Sequence, residues 1–261
     1  FYIILPGIWV RVLWRSFKEP AYRRNPLQRL GFVRLKKTSK PTIWVHAVSA
    51  GETNAIAPLV SRLLSREYRV VMTSMTPTGR ERVAALLGDQ VESFYVPYDL
   101  PGAVKRFLGT VSPDLLVIVD TELWPNMLHH CRAAGVKVVL ANARLSERSA
   151  RGYQRISRLS GRMMDDVSVV AAQSEAQGKR FIELGLDPVK MKVLGSVKFD
   201  QELPTDFKSR TAELNAMLAD CPRLIAASTH AGEEALLLEA FAIVKQSHPE
   251  LQLIIAPRHT H

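Results

Sequence analysis

Short apolar runs rich in β-branched residues recur along the first two hundred positions: Thr42–Val48, Val70–Ser74, Ser93–Val96, Leu115–Val119, Val136–Ala141 and Val167–Ala171. Between most of them lie stretches with apolar residues at helical spacing: Ala55–Leu64, Gly79–Leu87, Pro101–Leu108 and Trp124–Ala134. This alternation predicts βαβ units around a parallel sheet. The strands are continuous apolar runs, as expected when helices cover both faces. Arg144–Asp166 predicts one helix with a basic face, and Gln173–Leu184 another, ended by Gly185. Residues 201–222 hold Pro204 and Pro222 and predict a linker with a helix. A second unit then begins: strand Leu224–Ala227, helix Glu233–Gln246, strand Leu251–Ala256. One βαβ unit cannot cover both faces of its sheet, so this second domain is expected to be truncated at residue 261. The expected organisation is a basic N-terminal segment (1–40), a Rossmann-like domain (41–200), a linker (201–222) and the start of a second Rossmann-like domain (223–261).

The 261 residues are 47% hydrophobic and 23% charged, enough for a packed core. Cys131 and Cys221 lie far apart, which argues against a disulfide framework or a cysteine zinc site. The net charge of +10 suits an anionic partner. Among the first forty residues, ten basic side chains from Arg11 to Lys40 face a single acid, Glu19. They follow the apolar run Phe1–Val10, which is too short to span a bilayer at about 20 residues. Trp9, Trp14 and the basic cluster predict an interfacial segment on an anionic leaflet, with the rest of the chain on the cytoplasmic side.

In open parallel sheets, ligands sit beyond the carboxyl ends of the strands. The loop Ser49-Ala-Gly-Glu52 follows the first strand. Gly51 there permits a tight turn. Glu52 is either a carboxylate favouring a helix start or a general base at the top of the sheet; spacing alone leans to the first. Thr76-Pro-Thr78-Gly79 follows the second strand and offers hydroxyls and amides to an anion, or a plain capped turn. Asp120-Thr-Glu122 places two carboxylates at i and i+2; one could stabilise positive charge growing on a sugar ring, or cap the helix ahead. Asn142-Ala-Arg144, with Arg148 and Arg151, is either a basic rim for phosphate or carboxylate or part of a solvated basic helix. Lys198 stands just before the linker. Ser228-Thr229-His230 and Pro257-Arg258-His259 end the strands of the second unit and suit nucleotide recognition. His46 is expected to be a core or supporting histidine. No G-x-G-x-x-G fingerprint or P-loop is present, and neither a metal nor a cofactor is expected.

Taken in order, HAVSAGE, TSMTPTGRERV, PYDLP, TELWPN, LANARLSERSARGY, AAQSE, GSVKFD, STHAGEE and PRH resemble the 3-deoxy-D-manno-oct-2-ulosonic acid (Kdo) transferase family of lipopolysaccharide synthesis. Each motif is weak; nine in sequence are specific. The resemblance implies a GT-B fold of two Rossmann-like domains. It also implies CMP-Kdo as donor, a lipid A precursor (lipid IVA) as acceptor, and the cytoplasmic face of the inner membrane of a Gram-negative cell. Glu52 falls on the family's proton acceptor. Asp120 and Lys198 fall on its transition-state stabilisers, and Pro257 and Arg258 on the start of its CMP site. Asp120 stands where the family usually has Glu, and Ala50 where it usually has Val. Two other readings share some of these features. One is another GT-B transferase or a nucleotide-sugar epimerase; the other is a basic membrane-surface or nucleic-acid-binding protein, which leaves the strand-end carboxylates unexplained and shows no nucleic-acid module.

Overall fold

The computed structural model describes residues 25–36, 38–200, 206–218 and 220–258. The apolar segment Phe1–Trp14, Pro204, His259 and His261 lie outside the described residues. The chain divides into two compact units, with the boundary between Glu202 and Leu203.

The first unit is a seven-stranded sheet, parallel throughout, in the order β3-β2-β1-β4-β5-β6-β7. The strands are β1 (Thr42–His46), β2 (Arg69–Ser74), β3 (Glu92–Tyr95), β4 (Leu115–Val119), β5 (Lys137–Ala143), β6 (Val169–Ala172) and β7 (Met191–Val193). The helices are α1 (Ala50–Ser65), α2 (Pro77–Leu87), α3 (Pro101–Val111), α4 (Pro125–Ala133), α5 (Glu147–Gln154), α6 (Ser157–Asp166) and α7 (Glu175–Glu183). Successive side chains of a strand point to opposite faces, and β1 divides accordingly. Trp44 joins a core with Phe107, Leu128, Met164 and Phe181, from α3, α4, α6 and α7. Ile43 and Val45 join a second core with Ile56, Val60, Val83 and Leu87, from α1 and α2. The continuous apolar runs therefore read as they should for a sheet covered on both faces.

The order of strands reverses between β1 and β4, because β2 and β3 lie to one side of β1 and β4 to β7 to the other. That reversal opens a crevice at the carboxyl ends of β1 and β4, the place where such sheets bind ligands.

Three local readings change. Arg144–Asp166 is not one helix: it breaks at Ile156 (φ −116°, ψ 41°) into α5 and α6. Edge strand β7 was not legible, since it has only three residues and two of them are exposed. Gly51 makes no turn; it lies in the first turn of α1, where a Cβ would have only Ser49 Oγ within 4 Å, at 3.9 Å. A glycine is required instead at Gly31 (φ +84°), where a Cβ would fall 2.1 Å from the Ala103 carbonyl oxygen. This close approach packs the short 3-10 helix Pro26–Leu30 against α3. Gln28 Oε1 also accepts the Tyr95 N–H (3.0 Å), fixing the same segment to the end of β3.

The second unit contains α8 (Phe207–Met217), then β8 (Arg223–Thr229), α9 (Glu233–Ser247) and β9 (Gln252–Pro257), with β8 and β9 paired in parallel. Leu224, Ile225, Leu236, Leu238 and Ile243 are exposed on it.

Candidate active site

Ser49 begins α1 in extended conformation and its Oγ accepts the Glu52 N–H (3.3 Å). Glu52, three residues on, reaches back: Oε2 accepts the Val48 N–H (2.7 Å) and Oε1 accepts the Ser49 hydroxyl (2.9 Å). This is the S-x-x-E logic of a helix start, so the capping role read from spacing is realised. It does not use up the group, because a carboxylate has about four acceptor positions. Burial raises the Glu52 pKa above the ordinary glutamate value, and the charge of Asp120 adds to the rise; the bonds from Val48 and Ser49 and the charge of Arg144 oppose it.

Val48 connects this loop to its neighbour. Its carbonyl accepts the Met75 N–H (3.2 Å) and the Thr76 hydroxyl (3.3 Å). Thr76 Oγ1 in turn accepts the Gly79 N–H (3.1 Å) at the start of α2, and the exposed Thr78 hydroxyl donates to Thr76 Oγ1 (3.3 Å). Gly79 is needed for closeness: a Cβ would lie 3.0 Å from Thr76 Oγ1 and 3.1 Å from the Val48 oxygen. Pro77 has no N–H and the Gly79 N–H is capped. Two of the first three helical amides are thus withheld from any anion.

Across the crevice, Asp120 leaves β4 with φ +62°, and Asn142 near the end of β5 has φ +56°. Asp and Asn are the non-glycine residues that best tolerate the left-handed region. Asp120 Oδ1 accepts from Asn142 Nδ2 (2.7 Å) and Oδ2 from Arg144 Nε (3.0 Å). The Arg144 side chain is 63% exposed against 16% for Asp120, so the cation lies toward solvent. Thr121 donates its hydroxyl to the Arg144 carbonyl. Glu122 Oε2 accepts from Trp124 Nε1 (3.0 Å). Burial raises the Glu122 pKa, and the charges of Glu52 and Asp120 add to it. Tyr153 of α5 is raised by burial and by the charge of Glu122. Three carboxylates from two loops therefore share one crevice with one exposed arginine.

Lys198 lies in a short 3-10 turn, Val197–Asp200, whose Val197 N–H reaches Asn142 Oδ1 (3.3 Å). Lys198 is exposed, and among the described residues its ammonium makes no ion pair within 4.0 Å. Arg151 pairs with Glu147 one turn away (3.9 Å) and Arg148 is exposed. His46 is fully buried; desolvation lowers its pKa to about 4, so it is neutral, with Nδ1 3.0 Å from Thr73 Oγ1. It belongs to the core.

Some structure behind the motifs was not read from them. Asp99, in the PYDLP stretch, is buried and accepts the Asn126 N–H (3.0 Å) and Met127 N–H (2.7 Å), which caps α4. The signal for it was an acid just before Leu-Pro, facing a Trp-Pro-Asn helix start. Asn142 was visible only as the neighbour of Arg144.

In the second unit, Ser228 (φ +63°) and Thr229 end β8, and Pro257 ends β9. The Arg258 N–H donates to the Thr229 carbonyl (3.0 Å), and Arg258 Nη1 lies 3.4 Å from His230 Nε2. These four site residues are thus brought together at the carboxyl ends of one parallel pair.

A seven-stranded parallel sheet with helices on both faces and polar groups at its switch point is a Rossmann-like α/β unit, the kind of domain from which GT-B folds are built. The chain resembles a UDP-GlcNAc 2-epimerase of Neisseria meningitidis solved with UDP-GlcNAc: TM-score 0.57, 14% identity, covering 82% of this chain and 64% of that one. It also resembles a glycosyltransferase of Rickettsia africae: TM-score 0.52, 13% identity, covering 84% of this chain and 69% of that one. At these identities the likeness concerns the fold alone.

Sequence narrows the class. The family model for the 3-Deoxy-D-manno-octulosonic-acid transferase (kdotransferase) matches residues 24–201. The chain is 38% identical over 249 residues to the 3-deoxy-D-manno-octulosonic acid transferase of Haemophilus influenzae, covering 94% of this chain and 58% of that protein. It is 36% identical over 226 residues to that of Bordetella pertussis, covering 83% and 52%. The chain belongs to the 3-deoxy-D-manno-octulosonic acid transferase family, and it spans a little over half the length of these relatives.

Proposed function

We propose that this chain carries the acceptor half, and the first part of the donor half, of an inverting glycosyltransferase that moves Kdo from CMP-Kdo to a lipid A precursor. The observation that carries the reading is the placement of Glu52, just after β1, and Asp120, just after β4, on the two sides of the switch point, in a chain of this family. Glu52 takes the proton from a sugar hydroxyl of the acceptor. That oxygen forms a bond to the anomeric carbon of Kdo while the bond from that carbon to the CMP phosphate oxygen breaks, and the configuration inverts. Asp120 offsets positive charge on the ring in the transition state, and Lys198 offsets negative charge on the Kdo carboxylate or the departing phosphate. Thr76, Thr78, Gly79 and Arg144 border the acceptor. Ser228, Thr229, Pro257 and Arg258 begin the CMP site. The basic N-terminal region holds the enzyme to the anionic cytoplasmic face of the inner membrane in a Gram-negative cell. Among the described residues no helix is long and apolar enough to cross a membrane.

The test is product analysis by mass spectrometry with full-length protein, CMP-Kdo and a tetra-acylated lipid A precursor. A product heavier by Kdo is expected. Transfer from a UDP-sugar but not from CMP-Kdo would place the protein with other GT-B enzymes. The pH profile gives a second check. A base works when ionised, and burial favours its neutral form. Glu52 is therefore protonated at a higher pH than an exposed glutamate. The acid limb of kcat/KM is expected above the ordinary glutamate value, with activity lost as the pH falls through it. A limb at or below the usual glutamate value would count against Glu52 as the base.

A further inference from the structure

Asn142 is 5% exposed, and its side-chain amide bonds at both ends. Nδ2 donates to Asp120 Oδ1 (2.7 Å) and Oδ1 accepts the Val197 N–H (3.3 Å). The orientation of the amide is fixed by chemistry. An ionised carboxylate only accepts and a backbone N–H only donates, so a flipped amide would lose both bonds. The main chain is held too. The Asn142 carbonyl accepts from Gln173 Nε2 (3.0 Å), and φ is +56°. Three segments distant in sequence meet here: the end of β4, the loop after β6 and the turn that bears Lys198.

We propose that Asn142 is a positioning residue that sets Asp120 and the Lys198 turn in register with each other across the crevice. The inference rests on the functional reading above and adds a residue to it. One amide fixes the rotation of the Asp120 carboxylate and anchors the main chain one residue before Lys198. The Asp120 carboxylate and the main chain of the Lys198 turn then cannot shift independently of each other. A displacement of about 1 Å between reacting groups and their stabilisers can cost about 100-fold in rate. Asparagine is suited to the place because it offers a donor and an acceptor on one short planar group and tolerates the left-handed backbone.

Two substitutions keep that backbone conformation and separate the role from simple folding. Asn142→Gly removes both side-chain bonds. Asn142→Asp keeps the shape and the bond from Val197, but sets a carboxylate against Asp120. Two carboxylates in contact share a proton and hold it to higher pH; once protonated, the carboxyl introduced by Asn142→Asp can donate to Asp120 again. In full-length enzyme, Asn142→Gly is expected to lower kcat by about 100-fold with the acceptor KM little changed. Asn142→Asp is expected to lower kcat as well, with its kcat relative to wild type rising as the pH falls. Hydrogen–deuterium exchange supplies a readout independent of turnover: in Asn142→Gly, exchange across residues 195–200 is expected to speed up by at least about 10-fold, with the sheet strands unchanged.

Unchanged exchange at 195–200 in Asn142→Gly overturns the proposal, whatever the activity. So does an Asn142→Asp enzyme whose activity relative to wild type is independent of pH, or a kcat within about two-fold of wild type in both variants. Wild-type protein that shows no transfer from CMP-Kdo, while exchange responds as expected, overturns the functional reading and leaves the structural coupling supported.

Discussion

Glu52→Gln in the full-length enzyme is expected to lower kcat by about 100- to 10,000-fold, the range for loss of a general base, while the protein stays folded. The structure explains why glutamine is the informative replacement. Its carbonyl oxygen can still accept the Val48 N–H, and its amide can donate to Ser49 Oγ, so the start of α1 keeps its partners. The basicity is lost, and with it the negative charge at the helix start, which contributes about 0.3–1 kcal/mol. Glu52→Ala would remove the base and also leave the Val48 N–H without its acceptor, at a cost of about 1–3 kcal/mol if it remains unsatisfied. Comparing the two variants by kcat and thermal unfolding separates the catalytic share of this residue from its structural share. Near wild-type turnover in Glu52→Gln would remove Glu52 from the mechanism and direct attention to Glu122, the other half-buried carboxylate of the crevice whose pKa burial raises.

The second large effect is expected at Asp120. Asp120→Asn preserves size, tolerates φ +62° and can still accept from Asn142 Nδ2 through its oxygen. It removes the negative charge and leaves the Arg144 guanidinium without its acid. Loss of one preorganised electrostatic stabiliser costs about 100- to 1,000-fold in kcat, and a fall of that size is expected with the fold intact. Asp120→Glu restores the charge and is expected to recover much of the activity. It does so at some local cost, because both oxygens of the native aspartate already meet fixed partners at 2.7 and 3.0 Å, and a further methylene must displace them. Steady-state kinetics beside circular dichroism tests both variants. An Asp120→Asn enzyme as fast as wild type would show that the charge plays no part in the transition state.

The fold was legible where burial is symmetrical. Leu115–Val119 was read with its observed ends because all five residues are apolar and helices cover both sides. It was less legible where polar groups do structural work. The apolar period marks α1 only from Ala55, since Gly51, Glu52, Thr53 and Asn54 interrupt it; the carboxylate at Glu52 points to an earlier start, and the helix begins at Ala50. Glu52 was posed as cap or base; its geometry has the cap and leaves acceptor positions for the second role. The partnership of Asn142 could not be read at all. It depends on a left-handed residue and on two contacts from segments that share no periodicity with it. The nine motifs fall largely on loops at strand ends, and several of their residues, among them Asp99 and Gly79, are there to shape the loops.

The reversal of strand order between β1 and β4 also bears on how the site comes into being. Ile43 pairs with Leu115, so β1 acquires its second neighbour only after β2, β3 and the helices between them have been made. Pairings this distant along the chain form late, because closing the long loop costs entropy before contacts repay it. During synthesis, Glu52 emerges and can be capped within its own helix long before Asp120 exists. The two halves of the crevice therefore have separate birthdays: a ribosome paused before β4 would hold a finished helix start with no Asp120 to face it. Until β4 docks, one edge of the most buried strand stays open, and that interval is when the nascent chain has most need of protection from aggregation.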